Sequence, residues 1–358
     1  MKNLFIVHTP YHLILAVGMC ANIKTEETDI LIYKDFDIES LDLDLIEKIF
    51  RNVYFYDKND YKLINIPKIN YLIKIKYQLN NMKKLIKDKY DRIFVFNESL
   101  VSTQYIINKN LISKKSEVIY VEDGSNAYIQ TNTGENSKCI KNTIKKYLYY
   151  GFKYEDVGLT FGSHSKISKR KVIWPSIVRE EFKQDKVDIE EIEDYILKNG
   201  INICYKKLID KMLINEDRIF ILLEHLEFFS MNYGVSLDNY IEIIDNIMAQ
   251  LGDRVIYLKY HPRDNSDYLK EIIEKYSNIK VVANSQPAEI YYISDNISIL
   301  SIFSTTLLTA AKILPKSNII SIANIMKINN NTLINKFRNI GIKIPNNYDE
   351  LIDLLKQK

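Results

Sequence analysis

Short runs of consecutive apolar residues, each closed by a turn and followed by a longer helical stretch, recur along this chain and limit what it can fold into. The first is Leu4-Phe5-Ile6-Val7, followed by a Thr-Pro turn and a second apolar stretch over residues 13–19. Unbroken runs this short read as strands covered on both faces. Further strands are predicted at 30–33, 52–56, 92–96 and 118–121, with a Lys-rich helix from about 71 to 89. The pattern then lapses. Residues 132–186 hold the sole tryptophan, Gly-containing turns and a basic run, and read as a connection. It resumes with a strand at 218–223, a helix at 237–250 and strands at 254–258, 279–282, 297–300 and 318–321, and an amphipathic helix closes the chain at 349–358. Strands alternating with helices predict parallel sheets with helices on both faces. The expected class is therefore α/β, as two Rossmann-like domains whose parallel sheets face a central cleft. The domains are expected at 1–180, connection included, and 181–340, with a C-terminal helix at 341–358. Ligands in such folds bind beyond the carboxyl ends of the strands.

Composition narrows the function classes. Apolar residues at 46% and charged residues at 27% describe a globular chain. The 49 Lys and Arg against 46 Asp and Glu are mixed along the length, so no concentrated basic face points to nucleic acid. Local runs such as Lys83-Lys84-Leu85-Ile86-Lys87 and residues 166–171 read as a solvated helix face or loop. A peripheral contact with anionic lipid on the inner membrane face is the alternative. Cys20, Cys139 and Cys204 have neither metal nor redox spacing, which fits a reduced, cytoplasmic setting. The N-terminal apolar run is broken by His8, Thr9, Pro10, Tyr11 and His12, so neither a signal segment nor a membrane span is expected there.

Four features stand where strands are expected to end. Glu122-Asp123-Gly124 places two acids at a turn. Mutual repulsion and partial burial would raise a carboxyl toward a base useful near neutral pH, and an ordinary strand-to-turn tripeptide is the plain reading. Lys259-Tyr260-His261-Pro262-Arg263 holds a His before Pro, projecting from a turn beside an Arg and suited to a phosphate. A solvent-exposed turn His is the alternative. Ser301-Ile302-Phe303-Ser304-Thr305-Thr306 precedes an apolar helix, where hydroxyls cap the start and free N–H groups can also bind phosphate. Glu224-His225-Leu226-Glu227 could supply a base or be a surface loop. Asp35-Phe36-Asp37 and Asp42-Leu43-Asp44 read as capping or surface residues near a helix start.

In their order and spacing these motifs, with the opening Asn3-Leu4-Phe5-Ile6-Val7-His8-Thr9-Pro10-Tyr11-His12-Leu13, resemble the bacterial sialyltransferases of glycosyltransferase family 52. That family includes the lipooligosaccharide α-2,3-sialyltransferases, and the related capsule polysialyltransferases share the acidic-Gly and His-Pro motifs. The resemblance spans residues 3–325. It implies a GT-B-like fold, a CMP-sialic acid donor, inversion at the anomeric carbon, and a galactose-terminated acceptor on a capsule or lipooligosaccharide. Neither cofactor nor metal is implied, because CMP carries a single phosphate that a His and a helix N-terminus can neutralise. The resemblance assigns the donor side to His261, Pro262, Arg263, Glu289, Ser301, Phe303, Ser304 and Thr305, with His261 also catalytic as hydrogen-bond donor or general acid to the leaving phosphate, and the acceptor side to Thr9, Tyr11, His12, Asn97 and Gly124. It leaves the base open between Glu122 or Asp123 in the first domain and Glu227 in the second, with Glu227 favoured. Glu227 lacks the Ser-Pro that surrounds the corresponding acid of the lipooligosaccharide enzymes. Other readings are a transferase of the same fold using CMP-Kdo or a UDP-hexose, and a non-catalytic nucleotide- or glycan-binding protein. The Tyr-rich composition is compatible with a homodimer.

Overall fold

The computed structural model describes residues 1–21, 27–57, 67–110, 116–129, 147, 149–157, 160–210, 218–252, 254–264, 268–283, 286–292 and 297–357. Cys139 and much of the expected connection lie outside them. The chain forms two compact units, Met1–Lys206 and Lys207–Lys358.

The first unit is built on seven parallel strands: β1 (Lys2–Val7), β2 (Glu27–Tyr33), β3 (Asn52–Tyr56), β4 (Arg92–Val95), β5 (Glu117–Val121), β6 (Ile167–Val172) and β7 (Asp188–Glu191). Their order is β3-β2-β1-β4-β5-β6-β7. Leu4 to Val7 of β1 have no exposure at all, as expected of a central strand with both faces covered. The sheet order reverses between β1 and β4, and the loops there form the crevice in which doubly wound folds hold ligands.

This unit extends past residue 180. Residues 167–172, read from sequence as part of a connection, are β6, which pairs in parallel with β5 and β7. Its charges hid it. Lys169 and Lys171 both pair with Glu190 of β7, and Arg170 is buried against Asp185, so charged side chains line the sheet where apolar ones would have announced a strand. The basic run at 166–171 is thus largely internally paired. The run at 83–87 does lie on a solvated helix face: on Pro67–Leu85, Ile75, Leu79 and Met82 are buried while Lys83 and Lys84 are exposed.

Two helices cross with their backbones touching. A Cβ on Gly18 of the helix Pro10–Ala21 would sit 1.9 Å from the carbonyl oxygen of Ile196. One on Gly200 of the helix Asp194–Cys204 would meet the carbonyl oxygen of Ile14 at the same distance. Only glycine permits this approach.

The second unit carries five parallel strands: β8 (Arg218–Leu222), β9 (Val255–Lys259), β10 (Ile279–Val281), β11 (Ile297–Ser301) and β12 (Asn318–Ser321), in the order β10-β9-β8-β11-β12. Here the order reverses between β8 and β11. The C-terminal helix Tyr348–Lys356 packs on the helix Leu237–Leu251 and belongs to this unit. Among the described residues no helix is long and apolar enough to cross a membrane.

Candidate active site

In the first unit, the ends of β1, β4 and β5 bring the expected residues together. Thr9 caps the helix Pro10–Ala21: its Oγ1 accepts from the His12 N–H at 3.2 Å, and Pro10 stands at the first helical position. That start directs Tyr11 and His12 onto the turn after β5. The Tyr11 hydroxyl donates to Glu122 Oε1 at 2.6 Å, and His12 Nε2 lies 2.6 Å from Asp123 Oδ1. Gly124 takes φ 61°, in the left-handed region, and opens the short 3-10 turn Gly124–Ala127.

The two acids of the motif have different fates. Glu122 has no exposed surface. Besides Tyr11 it accepts from the Tyr128 hydroxyl and from the Ile173 N–H at 2.7 Å. Burial pushes its carboxyl up to about 7, against the pull of those donors. It anchors the turn, its carboxylate held in the interior by these donors. Asp123 retains 24% side-chain exposure, and its N–H donates to the Tyr120 hydroxyl at 3.1 Å. Asn97 is engaged locally, accepting from the N–H and hydroxyl of Ser99 at 3.0 and 2.6 Å.

Sequence reasoning missed the supports beneath this turn. Glu98, fully buried just beyond β4, accepts from the N–H groups of Gly162, Ser163 and His164 at 2.6, 3.0 and 3.4 Å. Burial raises it to about 7. Arg179, also fully buried, lies over the Phe182 ring and donates to the carbonyl of Asn126 at 3.0 Å and that of Phe161 at 2.6 Å. It ties the turn after Gly124 to the loop that Glu98 holds. A buried Glu and a buried Arg carry no periodic signal in a sequence.

In the second unit, a cavity of about 490 Å³ is lined by Glu224, His225, Glu227, Phe228, Phe229, Met231, Asn232, His261 and Arg263. His261 follows β9, and its Nδ1 accepts from the Arg263 N–H at 3.2 Å, which leaves Nε2 to carry the ring proton. Burial lowers its pKa to about 4, so the unliganded ring is a neutral hydrogen-bond donor at pH 7 and not a cation. His225 lies with its ring centroid 5.3 Å away and its Nε2 3.6 Å from Asp264, an acid the motif reading passed over. Pro262 and Arg263 are exposed.

The Phe-Ser turn is arranged differently from expectation. Ser301 is fully buried and its hydroxyl contacts the Leu222 carbonyl at 2.9 Å and Glu224 Oε1 at 3.0 Å. The Phe303 N–H donates to the same carboxylate oxygen at 2.9 Å, and the Phe303 ring packs edge-on against Phe337. Glu224, its carboxyl raised by burial, therefore occupies these donors. Ser301 and Phe303 thus seat Glu224. Ser304 caps the helix Thr305–Ile313 by accepting from the Thr306 N–H at 3.3 Å, and Ser304 and Thr305 are half-buried. Glu289 is buried and faces Lys259, which burial lowers to about 8. Glu227 stands exposed on the first turn of the helix Leu226–Tyr233, without a hydrogen bond or ion pair among the described residues. No group of three or more His, Cys, Asp and Glu side chains placed to hold a metal occurs among the described residues. Of the acid pairs near the start of the chain, Asp37 accepts from the Glu39 N–H and Asp42 precedes the helix Leu43–Glu47.

Residues 3–323 match the family Alpha-2,8-polysialyltransferase (POLYST). The chain belongs to that family. This polysialyltransferase-family member is a sialyltransferase, of the group that the sequence motifs brought in as relatives of family 52. No curated protein sequence matches it. Among solved structures it is similar to UDP-GlcNAc 2-epimerase from Neisseria meningitidis bound to UDP-GlcNAc, with TM-score 0.54 and 12% identity over 100% of this chain and 91% of that one. It is similar also to TcCGT1 in complex with UDP, with TM-score 0.51 and 9% identity over 99% and 90% of the two chains. The wall teichoic acid polymerase TagF gives TM-score 0.50 and 12% identity over 99% and 79%. At such identities the likeness establishes the fold alone, GT-B.

Proposed function

We propose that this sialyltransferase moves sialic acid from CMP-sialic acid to a bacterial surface glycan, with inversion, and that Asp123 is the base. The acceptor hydroxyl attacks the anomeric carbon as the bond to the CMP phosphate oxygen breaks. The new C–O bond forms on the opposite face, the hydroxyl proton passes to the carboxylate, and CMP leaves with the bonding electrons. One displacement gives inversion. The observation that carries the choice of base is the contrast within the acidic turn: Glu122 is sealed and fully bonded, whereas Asp123 keeps 24% side-chain exposure and is held by His12. Glu227 has no orienting partner among the described residues.

At the donor, His261 offers its Nε2–H to the leaving phosphate, with Arg263 at the same turn supplying positive charge. Ser304 and Thr305 stand at the neighbouring helix start, and Glu289 is the acid for the ribose hydroxyls. CMP brings one phosphate, so these groups suffice without a metal. The sequence resemblance points to galactose as the acceptor end. The family's α-2,8 description favours a terminal sialic acid instead.

The test supplies CMP-sialic acid, CMP-Kdo and UDP-hexoses with galactose-ended and sialic-acid-ended oligosaccharides and reads products by mass. Sialyl addition is expected. Consumption of a UDP-sugar alone would overturn the donor. Asp123→Asn is expected to lower kcat by about 100-fold or more, and near-parental kcat in Asp123→Asn with loss in Glu227→Gln would move the base to Glu227.

A further inference from the structure

We propose that His12 is the positioning residue for the base, orienting Asp123 without itself exchanging a proton. The inference rests on the reading of Asp123 as base. The His12 ring is 1% exposed and stacks on Phe96, with centroids 4.3 Å apart and planes 15° from parallel. Its Nδ1 lies 3.3 Å from the backbone nitrogen of His8. That nitrogen is a donor, so Nδ1 is the accepting nitrogen of the ring. The ring proton accordingly sits on Nε2 and points at Asp123 Oδ1, 2.6 Å away. A proton on Nδ1 would set two donors face to face. The His8 N–H thereby closes the far side of the ring, and the imidazole cannot relay what Asp123 removes from an acceptor.

The pair thus runs in the reverse sense to a hydrolase triad, in which the carboxylate orients the imidazole. Here Oδ1 is pinned by His12 and the Asp123 backbone by Tyr120. Oδ2 has no partner among the described residues and is the oxygen left to meet the acceptor hydroxyl. The neighbouring charged groups are otherwise committed. Glu122 is held by Tyr11, Tyr128 and Ile173, and Asp35 lies 4.0 Å from His8 Nδ1.

Two amides divide the ring's functions. In His12→Asn the side-chain oxygen stands near the Nδ1 position and can still accept from His8, but no donor reaches Asp123. In His12→Gln the terminal NH₂ stands near the Nε2 position and restores that donor. With CMP-sialic acid and a sialylated oligosaccharide, His12→Asn is expected to lose about 100-fold in kcat with acceptor KM unchanged. His12→Gln is expected to keep kcat within about fivefold of the parent, and in an Asp123→Asn background His12→Asn should cost nothing further. Equal kcat for the Asn and Gln variants, or a parental kcat in His12→Asn, would overturn the role of His12 while leaving the base in place. A parental kcat in Asp123→Asn would overturn the base and this inference with it.

Discussion

Replacing Glu98 by Gln tests whether a buried carboxyl taxes the first unit as pH rises. Its ordinary value of 4.5 is carried to about 7 in the folded chain, chiefly by burial. Between those values the folded form keeps the proton that the unfolded form has released, so stability falls as pH increases. The cost at pH 8 is about 3 kcal/mol, at about 1.4 kcal/mol per factor of ten, and at pH 5 it is under about 1 kcal/mol. Gln presents an accepting oxygen to Gly162, Ser163 and His164 at every pH and carries no charge. The gap between variant and parent should therefore widen in the variant's favour by about 2.5 kcal/mol from pH 5 to pH 8. Trp174, the sole tryptophan, lies in this unit and reports its unfolding in urea by fluorescence. A gap that is constant with pH, or that turns against the variant at pH 8, would refute the reasoning.

Gly18→Ala should force the two touching helices apart, costing about 1–3 kcal/mol and lowering the melting temperature of the first unit, measured by Trp174 fluorescence. Ser301→Ala removes a buried donor from Glu224 and should destabilise the second unit by about 1–3 kcal/mol in urea titrations followed by circular dichroism, with no direct loss of a donor contact. His261 is neutral well below pH 6, so the ratio of CMP dissociation constants for His261→Ala and the parent, measured by calorimetry, should stay level from pH 6 to 8. A ratio that collapses over that interval would mean the bound ring is a cation.

The sheets were legible because central parallel strands must be apolar on both sides, as in Leu4 to Val7 and residues 297–300. The strand at β6 was not, because its lysines and Arg170 find acids across the sheet, and ion pairing leaves no hydrophobic period. The strand-end motifs follow from the same topology, since the residues after β1 and β5 in the first unit, and after β8, β9 and β11 in the second, lie at or beside the reversal of strand order in their own sheet. What the motifs concealed is depth. Adjacent acids look equivalent in sequence, yet Glu122 turns inward to two tyrosines while Asp123 turns out. Likewise Ser301 and Ser304 share a hydroxyl and a turn, and only Ser304 keeps an accessible edge. Depth is decided by distant partners such as Tyr128, Ile173 and Glu224, and no local pattern encodes it.

The glycine crossing bears on how the protein is made. The helix that carries Tyr11 and His12 leaves the ribosome well before its partner Asp194–Cys204, which stands near the end of the same unit. Until Gly200 has emerged, Ile14 and Gly18 have no helix backbone to close upon. A chain halted at residue 180 would carry every motif of the acceptor side and still present an apolar helix to water. Closure of that crossing therefore waits on Gly200, through two residues that have no side chain.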